Sequence, residues 1–468
     1  AALECGGGTA TIEGGTIKYN NAGNTNYNTA AIIITTNSAT LTLGKEDGNV
    51  SITNPEIIGS RYGINNEGNG TFNFYDGIIK GKTAINGNLS AKEKGYEVIT
   101  TEENEIETAI LGNLPVAKIG EKEYYTFQEA FDACPSDGTE TTVEVLRNCT
   151  TDMANIIEEN KNIVLDIQSY KIVSGIENLF TNNGKFKIVD SIGNGRIISA
   201  KGTILRNEET GSFAINNITM QMTGSSAIDE TIENKGMLEI TGGVIISDGL
   251  KNKCINNIEQ GTVKITGGTV SAYTYAIYNT SSNKVEIEGG TVQATYNYEG
   301  YSAIYNNTEN GVVEIKGGLV TNQGKAIENK KGIIKVTGGE IRSTQGDTRY
   351  SECGIYNNGK VIIEDGKIAA LYRGSGIQNE GGTIEITGGT VSAPEWYNSI
   401  INRGTLEISG GTIKSNQKGI YNNSTLKMTG GTVEVQESKS YNYAALECGG
   451  GTATIEGGTI KYNNAGNT

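Results

Sequence analysis

The chain has 468 residues, 38 of them basic and 53 acidic, with a formal net charge of −15 and no histidine. This acidity disfavours a nucleic-acid partner bound through a basic patch, and the lack of histidine excludes histidine-based catalysis and metal binding. No apolar run approaches the ~20 residues of a membrane-spanning helix, so we expect no membrane insertion in this segment. We also expect neither a cofactor nor a metal ion.

The first elements, in residues 1–85, are short stretches in which apolar and polar residues alternate. A period of two is typical of strands. Asn66 and Cys5 lie in the slot that ends the third strand of each repeat in the later part of the chain. Residues 1–85 are therefore predicted to form β coils.

Residues 86–120 break this pattern, because they are rich in glutamate and contain no Gly-Gly turn. We interpret them as a linker or junction. Four acidic residues lie close together there, and we interpret them as solvated side chains, not as an acid/base pair. They are Glu102, Glu103, Glu105 and Glu107.

The segment 121–135 has the signature of a short amphipathic helix. Thr126 followed by Glu129 forms a capping box, and Phe127 and Phe131 share one helical face. We predict a helix near 126–134 that covers the open end of a solenoid and protects its edge from pairing with other chains.

Two cysteines flank the end of this helix and the next strand, Cys134 and Cys149. A disulfide between them would stabilise the cap by about 3 kcal/mol through loop closure. Their positions are equally compatible with two thiols, and the sequence leaves both possibilities open.

Residues 136–468 are predicted to be β-helix coils, because one phrase recurs there between residues 242 and 457 at a mean interval of about 24 residues, as in GTVKITGGTVSAYTYAIYN at 261–279. Such an interval predicts a solenoid whose insertions fall in loops. Each copy has three short strands, with Val263, Ile265 and Val270 facing inward. The fold class is therefore all-β, a parallel β-helix with three short strands per coil.

The third strand of each copy ends at an asparagine, which tolerates a tight corner and can hydrogen-bond to the next coil through its amide. We interpret this row as a structural ladder and not as a binding stripe. It comprises Asn257, Asn279, Asn306, Asn329, Asn357, Asn379, Asn402 and Asn422.

The loops before the third strand are rich in aromatic residues. Rigid aromatic faces suit sugar stacking and lateral protein contacts, but they also suit packing on one another, and both interpretations remain open. The candidates for ligand or lateral contact are Tyr273, Tyr275, Tyr296, Tyr298, Tyr301, Tyr350, Trp396, Tyr397, Tyr441 and Tyr443.

Several of these segments together resemble a known family. They are VAKIGEKEYYTFQEAFDAC at 116–134, IVLDIQSYKI at 163–172 and the repeated TGGTV and AIYN phrases. This ordered set resembles the right-handed parallel β-helix regions of large adhesin-like surface proteins of Gram-positive, clostridia-type bacteria, and GTFNFYDGIIKG at 70–81 resembles their closing coils. The resemblance implies a right-handed helix and an extracellular, cell-surface location, and it supplies no catalytic residues.

Residues 1–25 and 444–468 are identical in sequence, at an offset of 443 residues. Fold constraint alone does not preserve exposed positions such as Lys18 and Lys461. The simplest account is a tandem array of 443-residue units, whose partners are covalently attached copies. Residues 1–85 are then the C-terminal coils of one unit, 86–120 the junction, 121–135 the next cap and 136–468 the next unit's coils. An engineered or mis-registered overlap is the alternative.

These observations favour a structural extracellular fibre or an adhesin-like surface protein that is not an enzyme. The alternative is a carbohydrate-active or carbohydrate-binding β-helix, which would place paired carboxylates on neighbouring coils. We find no convincing acid/base pair in the sequence. Lateral fibre contacts or surface glycans are the expected further partners.

Overall fold

A computed structural model of the protein describes residues 1–20, 29–46, 50–93, 96–226, 230–250, 252–296, 301–344, 352–394, 396–436 and 444–463. Strands make up 60% of it and helix 2%, which confirms the all-β prediction. The strands stack in parallel as a β-solenoid of about 17 turns. The chain divides into two compact units, Ala1–Val116 and Ala117–Thr468.

In unit Ala1–Val116 the strands of successive coils stack in parallel in three sheets, and the last coil contributes to the first two of them. The first sheet contains Leu3–Cys5, Ala30–Ile34, Tyr62–Asn65 and Thr83–Asn86. The second contains Gly8–Ile12, Ala39–Leu43, Thr71–Phe74 and Ala91–Lys92. The third contains Thr16–Tyr19, Glu56–Gly59 and Ile78–Gly81.

The segment expected to be a linker contains regular structure. Strands Glu97–Glu103 and Ile106–Gly112 form an antiparallel hairpin, and the second strand pairs antiparallel with Ile78–Gly81. The carboxylate of Glu107 accepts a hydrogen bond from the Ala84 N–H at 2.7 Å. Glu102, Glu103 and Glu105, at the end of the outer strand and in the turn, are exposed. A charged antiparallel hairpin therefore closes this end of the parallel sheets and blunts its edge.

In unit Ala117–Thr468 the coils form three parallel faces. The first face contains Glu140–Val145, Asn162–Asp166, Lys185–Val189, Ser212–Asn216, Met237–Ile240, Thr262–Ile265, Val285–Ile287, Thr383–Ile386, Thr405–Ile408, Thr425–Met428 and Thr452–Ile455. The second contains Cys149–Thr151, Lys171–Ser174, Arg196–Ser199, Thr219–Met222, Val244–Ser247, Thr269–Ala272, Thr291–Ala294, Leu319–Asn322, Thr390–Ala393, Thr412–Ser415, Thr432–Gln436 and Thr459–Asn463.

The third face contains Asn155–Ile157, Asn178–Asn182, Thr203–Asn207, Glu230–Asn234, Lys253–Asn257, Tyr275–Asn279, Cys353–Asn357, Ser375–Asn379, Asn398–Asn402, Lys418–Asn422 and Leu446–Cys448. Three longer strands run around corners and serve more than one face: Ser302–Ile315, Lys325–Ser343 and Lys360–Ala370. Successive coils pair in parallel, with register shifts at corners of the longer strands, so equivalent side chains of the faces form columns along the solenoid.

The core is the inside of the coils. In strands Thr262–Ile265 and Thr269–Ala272 the alternate residues Val263, Ile265 and Val270 are at most 1% exposed, as the period of two predicted. Full burial of such a side chain stabilises the fold by about 1.5–3 kcal/mol. The corner between these strands requires glycine, because Gly268 has a φ of 77° and an added Cβ would lie 2.7 Å from the Gly243 oxygen.

The predicted helix is present at Phe127–Ala133, and both hydrogen bonds of its capping box are formed. The Phe131 ring packs against Phe180 at 6.3 Å and against Phe186 at 5.8 Å between ring centroids. The ammonium of Lys161 donates to the Asp132 oxygen at 2.9 Å and to the Cys134 oxygen at 2.6 Å. The helix therefore seals the apolar interior with an aromatic plug, and a buried lysine satisfies its last carbonyl groups.

The structure does not join Cys134 to Cys149. Both residues are buried thiols. The Cys134 thiol donates to the Ala130 oxygen at 3.3 Å within its own helix, whereas Cys149 begins a second-face strand opposite Ile172. Of the two possibilities that the sequence leaves open, the structure therefore has two separate thiols.

Candidate functional site

The asparagines form one continuous amide chain. In each of ten successive pairs the Nδ2 atom donates to the Oδ1 atom of the next asparagine at 2.7–2.9 Å. All eleven members are 0% exposed: Asn182, Asn207, Asn234, Asn257, Asn279, Asn306, Asn329, Asn357, Asn379, Asn402 and Asn422. No external ligand reaches amides buried in this way, so the row holds coils together.

Sequence reasoning missed the first three members of this chain. Asn182, Asn207 and Asn234 lie in coils where the Gly-Gly phrase is degenerate, so that phrase does not mark these coils in the sequence. These three residues could have been recognised because each is the asparagine that ends a third-face strand. The chain of amides stops after Asn422 because the next position in register is Cys448.

Four of the ten aromatic candidates, Tyr298, Tyr350, Tyr441 and Tyr443, lie outside the described residues. Four others lie in one cluster with two tyrosines from the outer side of the third face. Tyr273 stacks on Tyr296 at 4.6 Å between ring centroids, and Tyr296 in turn contacts Tyr301.

The centre of this cluster is Tyr275, whose ring makes edge contacts at 5.3–5.6 Å with Tyr278, Tyr301 and Tyr305. Burial raises the pKa of Tyr275 well above its ordinary value. These rings cover one another and the strand beneath them. The cluster therefore matches the packing interpretation better than the interpretation as a row of free aromatic platforms.

A buried carboxylate with two lysine partners lies next to the tyrosine cluster, in the coil that follows Tyr305. Glu328 lies in register between Tyr305 and Tyr356, and its carboxylate is 3.3 Å from the ammonium of Lys325 and 2.7 Å from that of Lys330. The Lys325 ammonium also lies 4.2 Å from the centre of the Tyr356 ring. Glu328 is only 2% exposed. Sequence reasoning missed this group because each member looks like an ordinary outward residue of its own coil.

Accessible aromatic side chains lie further along the solenoid. Trp396 is 54% exposed and Tyr372 is 70% exposed. They belong to the loops between second and third faces of two coils that pair directly, as Ile377 with Ile400 shows. Tyr397, the sixth described candidate, is half-buried beside Trp396. Tyr372 was not among the residues predicted from the sequence.

Charged side chains on the outside of the first face form a network across coils. The Lys284 ammonium lies 2.9 Å from Glu286 and 2.5 Å from Glu314, and Lys316 binds Glu286 as well. Hydrogen bonds from Lys316 and Lys284 lower the pKa of Glu286 to about 2. Because these groups are partly exposed, each pair contributes at most about 1 kcal/mol to stability.

The part of the chain that the structure describes contains neither a group of side chains placed to bind a metal ion nor a helix that could span a membrane. No group of three or more cysteine and acidic side chains there is placed to hold a metal ion. No described helix has the length and apolar character to cross a membrane. Comparison with models of protein families, with curated proteins and with solved structures finds no match to this chain.

The duplicated segment forms an edge coil in both of its positions. Its first copy consists of strands Leu3–Cys5, Gly8–Ile12 and Thr16–Tyr19, which pair with the coil that follows: Ala30–Ile34, Ala39–Leu43 and Glu56–Gly59. Its second copy consists of Leu446–Cys448, Thr452–Ile455 and Thr459–Asn463, which pair with the coil that precedes: Lys418–Asn422, Thr425–Met428 and Thr432–Gln436. Among the described residues each copy is thus paired on one side, and the open sides are opposite.

Burial differs accordingly between the two copies. The thiol is 6% exposed at Cys5, which the following coil covers, whereas Cys448 is exposed. In the second copy Ile455 is 46% exposed, Ile460 39% and Tyr462 37%. These large apolar side chains sit on an open coil side, which is the kind of edge that soluble proteins normally cover.

Proposed function

We propose that this protein is a structural fibre built from tandem β-helix units of 443 residues, in which the duplicated segment is the coil shared between successive parts of one solenoid. The observation that carries the proposal is the pairing of identical sequences on opposite sides. When the two copies are treated as one coil, it gains a neighbour on both sides, and its exposed apolar side becomes covered.

The columns of inward-facing apolar residues support the proposal that the duplicated segment is one shared coil. On the second face Val433 pairs with Ile460, and the equivalent Ile17 pairs with Ile57. On the third face Ile420 pairs with Leu446, and its equivalent Leu3 pairs with Ile32. The first face has Leu426 opposite Ala453, and Ala10 opposite Leu41. All three apolar columns therefore continue through the shared coil without a polar interruption.

The two terminal elements, the cap helix and the antiparallel hairpin, lie in the order that a tandem array requires. A unit read as 121–443 and then 1–112 begins with the helix Phe127–Ala133 and ends with the antiparallel hairpin Glu97–Gly112. Solenoids need such terminal elements to protect their edges. We therefore propose an array in which each hairpin is followed by the cap helix of the next unit. Backbone hydrogen bonds shared over many coils suit a load-bearing tether.

Electron microscopy of the native material tests the array. About 17 coils per unit at ~4.8 Å each predict threads with an axial repeat of roughly 80 to 120 Å including the junction. The reading frame should also continue after Thr468 with a sequence that matches Asn26 onward. Short isolated rods, or a different continuation, would contradict the proposal.

We propose an extracellular, cell-surface location, by the resemblance of the cap and repeat motifs to adhesin-like β-helix regions. The proposal includes no catalytic reaction. Surface labelling of intact cells with an antibody against residues 140–436 tests the location, and a signal only after permeabilisation would contradict it.

Carbohydrate binding is the second candidate, and the exposed pair Trp396 and Tyr372 favours it. Exposed aromatic side chains on adjacent coils provide flat surfaces on which the rings of a sugar chain can stack. A screen of neutral and acidic glycans should then show binding that Trp396→Ala weakens. Tyr278→Ala, in the packed cluster, is the matched control that leaves such binding unchanged.

A further inference from the structure

Two half-buried tyrosines on the outer side of the third face stack directly on one another. Tyr278 pairs in register with Tyr305 of the next coil, at the centre of a run of three register pairs. Their ring centroids are 4.8 Å apart and the two ring planes differ by 13°. We propose that these two rings are a site of oxidative crosslinking, at which a one-electron oxidant such as a peroxide-driven peroxidase joins them through a carbon–carbon bond.

The backbone holds the two tyrosines in this position before any reaction takes place. On one side Ile277 pairs with Ile304, and both are 0% exposed. On the other side the Nδ2 atom of Asn279 donates to the Oδ1 atom of Asn306 at 2.8 Å. Because these buried residues fix the register, the two rings are neighbours at all times in the folded coil. Such proximity favours coupling between them over coupling with another molecule.

The coupling needs only the oxidant and the two phenols. Each phenol loses one electron and its hydroxyl proton to the oxidant, which leaves a tyrosyl radical. A ring carbon next to the hydroxyl-bearing carbon of one tyrosine then bonds to the equivalent carbon of the other. The hydrogen on each of these carbons moves to the oxygen and restores the phenol. In total, two tyrosines and one hydrogen peroxide give one dityrosine and two waters.

The tyrosine cluster contains both favourable and unfavourable pairs for this reaction. Tyr275 meets its three tyrosine neighbours at interplanar angles of 62–75°, so that a ring edge points at a ring face. The nearly parallel rings of Tyr278 and Tyr305 instead present equivalent carbons to each other. Tyr273 and Tyr296 form a second stacked pair, at 4.6 Å and 26°, and we expect them to couple as well.

A tyrosine in the same outward column provides a matched control. Tyr356 pairs in register with Glu328 on one side and with Gln378 on the other. It lies two coils from Tyr305, roughly twice the spacing of adjacent strands, so we expect no crosslink between these two residues. The inference does not rest on the tandem array, because both rings of the stacked pair belong to one unit.

Peptide mapping of the intact chain after treatment with a haem peroxidase and hydrogen peroxide tests the proposal. Trypsin leaves Tyr278 in peptide 265–284 and Tyr305 in peptide 285–316. In the monomer fraction these two peptides should be recovered as one linked product that has lost two hydrogen atoms. The product should persist in Tyr273→Phe, which disables the second stacked pair. Oxidation of Tyr372, which is 70% exposed, reports that the oxidant has acted.

Two further substitutions in the Tyr273→Phe chain separate this coupling from random oxidation. Addition of Tyr305→Phe keeps a ring in the stack but removes its hydroxyl group, so the linked product should be lost. Addition of Tyr356→Phe should leave its yield unchanged. A linked product that persists without the Tyr305 hydroxyl, an equal loss in both variants, or oxidised Tyr372 without any linked product would overturn the proposal.

Discussion

We predict that the substitution Asn306→Ala, at the centre of the chain of asparagine amides, lowers the stability of the coils around it. The Nδ2 atom of Asn306 donates to the Asn329 Oδ1 at 2.9 Å and to the Lys331 oxygen at 2.8 Å. Its Oδ1 atom accepts from the Asn279 Nδ2 at 2.8 Å. Asn306 is 0% exposed, so water does not replace these partners without a rearrangement of the coil.

The three lost hydrogen bonds contribute about 1 kcal/mol each, and a buried partner left unsatisfied costs a further 1–3 kcal/mol or so. We therefore expect Asn306→Ala to lower local stability by about 4–6 kcal/mol. In a solenoid this loss is felt mainly by adjacent coils, because each coil contacts only its neighbours. The half-buried neighbour Asn307 offers a matched control, Asn307→Ala.

Amide hydrogen exchange followed by mass spectrometry measures this effect coil by coil. A loss of about 4–6 kcal/mol corresponds to amide exchange about 1,000- to 20,000-fold faster in strands Tyr275–Asn279 and Lys325–Ser343. Distant strands such as Thr405–Ile408 should keep their protection. If Asn306→Ala and Asn307→Ala give the same exchange rates, the amide chain does not hold the coils together and the reasoning is wrong.

Three further outcomes are expected. Because the folded pKa of Glu286 is about 2 and the ordinary value is 4.5, the stability from its ion pairs is present above pH 4.5 and is lost as the pH falls toward 2; acid titration of unfolding should show this loss, and Lys316→Gln should reduce it. Burial raises the thiol pKa of Cys254 and of Cys353 to about 12, so both should resist alkylation at pH 8 until the protein unfolds, and early labelling would contradict their placement. Lys161→Met should destabilise the cap helix, seen as faster hydrogen exchange at Phe127–Ala133, since it removes two hydrogen bonds to the last carbonyl groups; unchanged exchange would contradict that role.

The periodic features of the fold were predictable from sequence because one rule governs every coil. Inward residues such as Val263 and Ile265 alternate with polar ones, glycine pairs permit the corner, and asparagine ends the third strand. The cap helix was predictable too, since its capping box and its two phenylalanines are local signals. These features depend on short-range chemistry that recurs or is self-contained.

The features that were missed depend on contacts between coils. The hairpin Glu97–Gly112 was read as a linker because its exposed outer strand carries glutamates where a core strand would carry apolar residues. The buried pair of Glu328 and Lys325 arises only when successive coils stack. The thiols Cys134 and Cys149 remained ambiguous because sequence separation does not fix the direction of a side chain.

The central claim is that the duplicated segment is one coil with a neighbour on each side. A rearranged chain tests it most directly: residues 117–468 followed immediately by 26–116, which contains the segment once. Hydrogen exchange of this chain should show strands Thr452–Ile455 and Thr459–Asn463 as strongly protected as the preceding Thr432–Gln436, with Cys448 closed to alkylation. Protection that stops at Gln436, with residues 446–463 exchanging freely and Cys448 reactive, would contradict the account.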